Sequence, residues 1–317
     1  MERIKGFLFL TGAFMLAGTS VVAARYVSGT LGVFTIAAVS LFLALTVLCI
    51  ASRKQIVGAL SGMSAKDWLI LALQALFGIF LFRTLLLNGL LYTSSGEAGI
   101  LTGVTPAATV LLSRLFLKES IGAGSLLGIF ITIAGIVLLQ DFSGLGDFQV
   151  AHLAGNLMVI CAAVCESIFN ILSKISSIRS VSRNNKQPMN PLVQTTIVSG
   201  TAFLFFLIPA IYERPVPALL SLCLKEWLSL IWYGLFVTAL AFIFWYAGIK
   251  RCAASSAAAF SGMMPFTAMI LSVLLLGERS GWQQWSGGFL IVAGMLIIGS
   301  YSIKNGTTRK SPNEIKK

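Results

Sequence analysis

Charged residues are scarce in this chain of 317 residues, and acidic residues are especially few. Only 11% of the residues are charged, with 11 Asp and Glu against 23 Lys and Arg, while 57% are hydrophobic and the mean hydropathy is +0.90. About a quarter of the residues of a typical soluble domain are charged. The composition therefore excludes an ordinary soluble domain and predicts a membrane protein.

Histidine and cysteine are also rare. The chain has one histidine, His152, and five cysteines, most of which fall in or beside apolar segments. Cys161 and Cys165 are spaced i, i+4, as a metal-binding pair could be, but His152 lies more than two helical turns away. The cysteines are better interpreted as small hydrophobic residues, and we expect neither a metal site nor a cofactor.

The sequence also lacks the residue patterns typical of an enzyme active site. There is no closely spaced pair of carboxylates and no phosphate-binding loop, and a catalytic site would need a nucleophile, a metal or an acid–base cluster. A sensor or scaffold would usually carry a soluble output domain, and the loops are too short for one. An enzyme and a sensor or scaffold remain as alternatives that the sequence favours less than a transporter. We expect that the protein is not an enzyme.

What the sequence has in abundance is apolar stretches of about 20 residues, the length that spans a bilayer as an α-helix. The fold class predicted is an all-α membrane protein with ten transmembrane helices. The stretches are Gly6–Val27, Leu31–Ala51, Trp68–Tyr92, Glu97–Leu117, Ala123–Gln140, Leu153–Ser173, Pro191–Tyr212, Trp227–Ile249, Ala254–Leu276 and Gln283–Ile303. The first could be mistaken for a signal peptide, but its length favours a retained helix.

Basic residues set the expected orientation, because cytoplasmic loops of membrane proteins are enriched in Lys and Arg. With the N-terminus inside, the outer side keeps only Arg25, Arg214, Lys225 and Arg279. Both termini are therefore expected in the cytoplasm, with the chain in the plasma membrane as a monomer or homodimer. Anchoring to anionic lipid headgroups accounts for the net charge of +12 without a nucleic-acid partner.

The chain contains an internal repeat. An offset of 159 maps Gly103 on Gly262, Pro106 on Pro265 and Glu119 on Glu278, and helices 1 and 6 align at a smaller offset. Five helices per half is an odd number, so the two copies must lie in opposite orientations in the bilayer. This 5+5 inverted-topology repeat divides the chain into 1–146, 147–303 and a basic tail, 304–317. Such repeats favour alternating access.

Gly103–Pro106 and Gly262–Pro265 lie in the middle of helices, where proline removes a backbone hydrogen bond and kinks the helix. The kinks could serve packing, or they could gate and line a site. Glu119 and Glu278 end these helices and are expected to stabilise the N-terminus of the helix that follows.

The stretches "TGVTPAATVLLSRLFLKE" and "SGMMPFTAMILSVLLLGE" resemble the drug/metabolite transporter superfamily, in particular its ten-helix EamA type. The resemblance implies that helices 1, 3, 4, 6, 8 and 9 surround a substrate cavity, with helices 5 and 10 at the periphery. It implies a carrier of small molecules, commonly an exporter of amino acids or related metabolites. Import or facilitated diffusion is the alternative direction.

Polar residues inside the third and eighth helices are candidates for the cavity wall. On a helical wheel Gln74 and Asn88 share one face, which maps onto Tyr233 and Ala247, and Arg83 points nearly opposite. We therefore expect the Gln74 face to line the cavity, and we expect Arg83 to snorkel or to form an interhelical salt bridge rather than bind a substrate carboxylate. Tyr246 and its aromatic neighbours face either lipid or substrate.

Glu166 is the acidic residue placed deepest in a predicted helix. Ser167 and Asn170 lie on the polar stripe beside it, and its repeat counterpart is Ala17, so only one half carries the carboxylate. An ionised carboxylate at that depth costs several kcal/mol unless it is paired or faces water. We expect Glu166 to bind a proton or a substrate cation during transport, with Asn170 and Ser167 orienting the ligand. A salt bridge to a residue such as Arg83, or a hydrogen bond to a neighbouring helix, is the structural alternative.

Overall fold

The structure is a computed structural model that describes residues 2–117, 122–139, 150–182, 189–251, 260, 263–278 and 281–308. These residues form helices and no strand. Seven helices within them are long and apolar enough to cross a membrane. The prediction of an all-α, multi-pass membrane protein is confirmed.

The main helices follow the predicted apolar stretches. They are α1 (Glu2–Val27), α2 (Val33–Ser61), α3 (Ala65–Gly89), α4 (Ser95–Leu101, a 3₁₀ turn at Thr102–Val104, then Thr105–Leu117), α5 (Ala123–Leu139), α6 (Val150–Ser182), α7 (Pro191–Tyr212), α8 (Leu224–Ile249), α9 (Met263–Leu276) and α10 (Trp282–Thr308). A short helix, Pro215–Leu220, precedes α8.

Side chains at the helix starts satisfy backbone N–H groups that have no partner within the helix. Ser64 and Asp67 form a reciprocal capping box at the start of α3. The Ser94 hydroxyl accepts from the Glu97 N–H at the start of α4, and the Asn190 side chain accepts from the Leu192 N–H at α7. These short polar residues fix where the apolar helices begin.

The helices pack in pairs that are equivalent under the sequence repeat. α1 packs on α8 and α9, and α6 packs in the same way on α3 and α4. Three further large contacts join α2 to α7, α4 to α9 and α5 to α10, which are pairs of repeat counterparts. The first helix of each half thus packs against the other half, and the interior lies between the halves.

Glycines allow α5 and α10 to approach until their backbones touch. A Cβ on Gly135 would lie 2.7 Å from the Gly287 carbonyl oxygen, and one on Gly294 would lie 2.6 Å from that of Gly128. Gly128 and Gly287 are repeat counterparts, as are Gly135 and Gly294. Close approach of this kind is how helices associate in lipid, so the repeated glycines pair α5 with α10.

Both α3 and α8 contain a π-helical segment at matching places, Leu76–Leu81 and Tyr233–Leu240. The second is held by an i→i−5 contact, in which the Thr238 hydroxyl donates to the Tyr233 carbonyl oxygen. An i→i+5 turn takes in one more residue than an α-turn, so all later positions are displaced by roughly 100°. The two segments decide which side chains of α3 and α8 face inward.

Two carboxylates from the second half cap helices of the first half. Glu213, at the end of α7, accepts from the N–H groups of Phe34 and Thr35 at 3.2 and 2.7 Å, and also from the Thr35 hydroxyl. Glu278, after α9, accepts from the N–H groups of Ser95 and Gly96 at 3.0 and 2.9 Å. Within the described residues, Glu278 thus caps α4 and makes no hydrogen bond to the helix that follows it, contrary to the sequence expectation. Glu119 lies outside the described residues.

The Glu213 cap yields a prediction on stability. Glu213→Ala removes a charged acceptor from two N–H groups at a helix N-terminus, where caps contribute about 0.5–2 kcal/mol. In chains of about 150–250 residues, each kcal/mol corresponds to about 2–4 °C in melting temperature. We expect the apparent melting temperature of the purified protein to fall by several degrees.

The matched control is at the other end of the same helix pair. There, Gln55 accepts one hydrogen bond from the exposed Asn190 side chain at 2.7 Å. Gln55→Ala removes a neutral, solvent-exposed bond and should change stability by less than about 0.5 kcal/mol. Equal melting temperatures for Glu213→Ala and Gln55→Ala would show that the cap contributes nothing.

Candidate functional site

A cavity lies inside the bundle, between the two halves of the chain. Its volume is about 70 Å³, more than the roughly 30 Å³ that one water molecule occupies in the liquid. The walls are mostly apolar and aromatic, and they come from α1, α3, α6, α8 and α9. The residues that line the cavity are Ala13, Phe14, Ala17, Ser20, Gly78, Phe82, Arg83, Glu166, Phe169, Asn170, Tyr233, Val237, Ala241, Phe242, Trp245 and Met264.

Many of these residues are repeat counterparts of one another. The offset of 159 pairs Gly78 with Val237, Phe82 with Ala241 and Arg83 with Phe242, and all six line the cavity. The offset of 149 between α1 and α6 likewise pairs Ala17 with Glu166 and Ser20 with Phe169. The cavity therefore lies where the repeat would place a symmetry axis, while its two charges have uncharged counterparts.

Arg83 is in the cavity wall and is only 3% exposed. Its guanidinium donates to the hydroxyls of Ser40, at 3.0 Å, and Thr238, and it lies 4.6 Å from the centre of the Tyr233 ring. Two of its five N–H donors are thus used, and the other three have no acceptor among the described residues. Arg83 neither snorkels to a bilayer surface nor forms a salt bridge in the described part of the chain, contrary to the sequence expectation.

Glu166 lies on the same cavity as Arg83 but is not paired with it. One carboxylate oxygen of Glu166 accepts from the Thr105 hydroxyl at 2.9 Å. The neighbouring Ser167 hydroxyl is 2.9 Å from the carbonyl oxygens of both Ala163 and Thr105. Of the two structural alternatives, the described contacts contain the hydrogen bond to a neighbouring helix and lack the salt bridge to Arg83. Ser167 does not line the cavity, and its hydroxyl instead joins α6 to α4.

Pro106 explains how Thr105 reaches Glu166. Proline has no N–H to offer the Thr102 carbonyl oxygen, and in the 3₁₀ turn this oxygen accepts instead from the Thr105 N–H. The backbone thus stays satisfied while the helix tightens directly before the proline. Thr105, the last residue before the proline, is the one that holds the carboxylate.

Two further polar residues line the cavity and have a polar group without a partner among the described residues. Asn170 makes no hydrogen bond within the described residues, and the Trp245 indole N–H is buried without an acceptor. Asn170 is half-buried, whereas the indole N–H is fully buried. Because buried polar groups in proteins are nearly always hydrogen-bonded, these unpaired groups favour this cavity as the candidate binding site. Together with Arg83 and Glu166 they offer both a cationic and an anionic group to one small volume.

Gln74, Asn88 and Tyr246 do not line the cavity. The Gln74 side-chain oxygen accepts from Gln194 at 3.1 Å and from the Tyr246 hydroxyl at 2.9 Å, in a fully buried cluster. The Asn88 amide donates to the Thr84 carbonyl oxygen of its own helix. The helical wheel is displaced by the π-helical segment between Gln74 and Arg83, which turns Arg83 inward instead.

The proposed kinks are only partly visible. Gly103 and Pro106 are buried around the 3₁₀ turn, and Pro265 is buried in the first turn of α9. Gly262 lies outside the described residues. Both prolines lie next to the cavity, on repeat-equivalent helices. Met264, which precedes Pro265, lines the cavity, and Thr105, which precedes Pro106, bonds to the cavity residue Glu166.

Sequence reasoning did not single out Thr105, Phe169 or Phe82. Thr105 had a signal, since it directly precedes the repeated proline. The aromatics of α8, by contrast, divide between lipid and cavity. Trp232 and Phe236 stack on the outer surface with ring centres 4.3 Å apart, whereas Trp245 lines the cavity.

Glu97 forms a second polar cluster at one end of the bundle. Its carboxylate, 4% exposed, contacts Thr93 at 3.1 Å, His152 at 3.0 Å and Asn156 at 2.7 Å. These bonds join the start of α4 to the start of α6.

The sequence matches the EamA-like transporter family over residues 4–140 and again over 153–300. A transporter of Bacillus subtilis named YetK, described as uncharacterized, is 30% identical over 93% of this chain and 87% of its own length. A probable terminal-alkyne amino-acid exporter of Streptantibioticus cattleyicolor is 24% identical over 74% of each chain.

The fold also occurs among solved structures. A crystal structure superposes with a TM-score of 0.66 at 20% identity, covering 96% of this chain and 99% of that one. The two family segments together account for nearly the whole chain, and the relatives carry transporter names. The chain therefore belongs to the EamA-like transporter family.

Proposed function

We propose that the protein is a secondary active transporter that exports a small zwitterionic metabolite of the amino-acid type in exchange for protons. One observation carries the proposal: Arg83 and Glu166, of opposite charge, lie on one internal cavity without forming an ion pair. Unpaired charges in a low-dielectric site are costly, and a ligand that bears both charges offsets them together.

The proposed architecture is ten transmembrane helices in two inverted repeats, residues 1–146 and 147–303, followed by the basic tail 304–317. The repeat-equivalent packing of α1 on α8 and of α6 on α3 supports it. So does the pairing of cavity positions at the offsets of 149 and 159. The distribution of Lys and Arg supports cytoplasmic termini in the plasma membrane. Each chain, as a monomer or within a homodimer, holds one complete cavity.

In the proposed complex, the substrate carboxylate binds the three free N–H donors of Arg83. A guanidinium recognises a carboxylate through two parallel hydrogen bonds, which fixes its orientation. The substrate ammonium binds the free oxygen of Glu166, and Asn170 bonds to either group. The apolar remainder contacts the Trp245 and Phe169 rings. The exporter from Streptantibioticus, which carries an amino-acid substrate in its name, supports this class.

The same carboxylate couples transport to protons. An unpaired charge on Glu166 is unfavourable in the cavity, so the group holds either a proton or the substrate ammonium at any time. Substrate that binds on the cytoplasmic side displaces the proton there. After release outside, a new proton binds and is carried inward. One site with two competing cations thus gives exchange without a second binding site.

Alternating access requires that each end of the cavity can close. At one end, Glu97, Glu213 and Glu278 bond across helices. At the other, the Phe169, Phe242 and Tyr246 rings pack together above the Gln74 cluster. The end that carries the three glutamates and the end that carries the three aromatic rings are the two proposed gates.

The kink prolines give a prediction on gating. Pro106→Ala restores an N–H, favours a straight α4 and moves Thr105 away from Glu166. We expect the initial transport rate to fall by about tenfold, equivalent to about 1.4 kcal/mol, while the melting temperature changes little. Pro265→Ala should act similarly from α9.

Pro209→Ala is the matched control, because Pro209 also lies inside a helix but on α7, away from the cavity. Transport rates should remain near wild type in that variant. Unchanged transport in both Pro106→Ala and Pro265→Ala would assign the prolines to packing alone.

The test of the proposed function is counterflow in proteoliposomes across a panel of amino acids, amines and carboxylates, with and without a pH gradient. Zwitterions should exchange, and an inward proton gradient should drive their export. Monocations and monoanions of similar size should exchange poorly. Turnover of a lipid-linked compound without any counterflow would remove the transporter proposal, and counterflow that ignores the pH gradient would favour facilitated diffusion.

A further inference from the structure

A second hollow lies on the outside of the bundle, at the seam between the halves. This lateral groove is lined by three helices and has a volume of about 450 Å³. Its lining residues are Thr19, Val22, Ala23, Tyr26, Lys225, Leu228, Ser229, Trp232, Leu271 and Leu275. Residues 19 to 26 of α1 and 225 to 232 of α8 follow helical spacing, so the groove runs about 10 Å along the bundle axis.

The hydroxyl and indole groups of the lateral groove are already bonded within the protein. The Trp232 indole N–H donates to the Thr19 hydroxyl at 2.9 Å, and the Ser229 hydroxyl donates to the Ala23 carbonyl oxygen at 2.6 Å. The Tyr26 hydroxyl donates to the Leu275 carbonyl oxygen at 2.9 Å. The hydroxyl and indole groups along the lateral groove therefore offer no free donor to a polar metabolite, and the groove suits an apolar chain.

One end of the lateral groove carries an unpaired cation. The Lys225 ammonium lies 4.1 Å from the centre of the Tyr26 ring and makes no ion pair within the described residues. Lys225 is the second residue of α8, and the apolar part of that helix follows it. Lysine and tyrosine at the end of a membrane span lie at the level of the lipid headgroups. A cation at one end and an apolar channel behind it match the chemistry of an anionic phospholipid.

The other half of the chain has no such combination. At the repeat-equivalent seam, Leu172 stands in place of Ala23 and Ile70 in place of Ser229. The small side chains that open the lateral groove are thus found on one side only. Lys66, the counterpart of Lys225, is an exposed residue at the start of α3. The lateral groove is therefore a feature of this one seam and does not follow from the repeat, which would place a groove at both seams.

We propose that the lateral groove binds one anionic phospholipid, with an acyl chain along Val22, Leu228 and Leu275 and the phosphate at Lys225. Three hydrogen bonds between the halves line this groove. The bound lipid therefore contacts both halves at once and stabilises the arrangement seen here. This proposal is independent of the transported substrate.

Trp232 provides the experimental probe. Bromine atoms on an acyl chain quench nearby tryptophan fluorescence, and the signal of Trp232 is isolated as wild type minus Trp232→Phe. The protein is reconstituted in phosphatidylcholine bilayers that contain a small, equal fraction of brominated phosphatidylglycerol or brominated phosphatidylcholine. We expect severalfold stronger quenching of Trp232 by the phosphatidylglycerol.

Lys225→Gln should reduce quenching by the phosphatidylglycerol to the level of the phosphatidylcholine, and the matched variant Lys66→Gln should leave the difference intact. Ser229→Ile fills the groove and should remove the difference while Lys225 stays in place. Equal quenching by the two lipids in the wild type would mean ordinary contact with surrounding lipid only. That result, or a difference that survives Lys225→Gln, overturns the proposal.

Discussion

Glu166→Gln is expected to abolish accumulation driven by a pH gradient. Glutamine keeps the shape of the side chain and can still accept from the Thr105 hydroxyl, but it carries no charge to exchange between a proton and a substrate ammonium. The variant should equilibrate substrate across the membrane without concentrating it. Its transport rate should also lose the pH dependence of the wild type.

Asp67→Asn is the control for this variant, because Asp67 is a carboxylate at the start of α3, outside the cavity and outside both proposed gates. Its transport should retain the wild-type pH profile. Uptake and efflux in proteoliposomes with imposed pH gradients measure both variants. Glu166 is not the coupling residue if Glu166→Gln still accumulates substrate against its gradient with wild-type pH dependence.

Arg83→Gln is expected to weaken substrate binding through the loss of the carboxylate contact. Hydrogen bonds to charged groups contribute about 1.5–3 kcal/mol, so KM should rise by about 10- to 100-fold. Arg83→Lys keeps the charge but not the planar donor pair, and its KM should lie between those of the wild type and Arg83→Gln.

A comparison of substrates separates this effect from a general disturbance of the fold. The carboxamide analogue of the best substrate lacks the anionic group, so it should lose affinity in the wild type and lose little more in Arg83→Gln. Melting temperatures of the variants, together with Tyr233→Phe as a variant of the adjacent ring, report on the structural role of the site. If the ratio of KM values for substrate and amide is the same in the wild type and Arg83→Gln, Arg83 does not bind the carboxylate.

The sequence carried the membrane class, the helix positions and the family, because these depend on composition, apolar length and a repeat at constant spacing. It also indicated Glu166, since a carboxylate inside an apolar helix stands out without any structure. The structure places Glu166 and Asn170 on a shared cavity with Arg83 and Tyr233.

The cavity face of α3 could not be derived from the sequence. A helical wheel assumes an even α-helical turn, and the π-helical segment at Leu76–Leu81 displaces every later residue. This is why Arg83 faces inward and Gln74 does not. The apolar sequence of that segment has no proline or other signal that distinguishes a π-turn from an α-turn.

The cross-repeat caps were equally hidden. Glu278 is followed by residues that could form a cap with the next helix, and only the packing of α4 on α9 brings it to Ser95 and Gly96. Contacts between the ends of distant helices depend on how helices are placed in three dimensions, which local sequence does not determine.

In the proposed mechanism, one cavity between the halves opens alternately to the two sides of the membrane. Ala17 is the residue to probe, because it lines the cavity together with its repeat counterpart Glu166 and carries no polar group. In a chain whose own cysteines have been replaced, Ala17→Cys is exposed to a membrane-impermeant maleimide in right-side-out and in inside-out vesicles. Labelling from both sides, slowed in each case by the transported substrate, is the expected result. Labelling from one side only, unaffected by substrate, would contradict it.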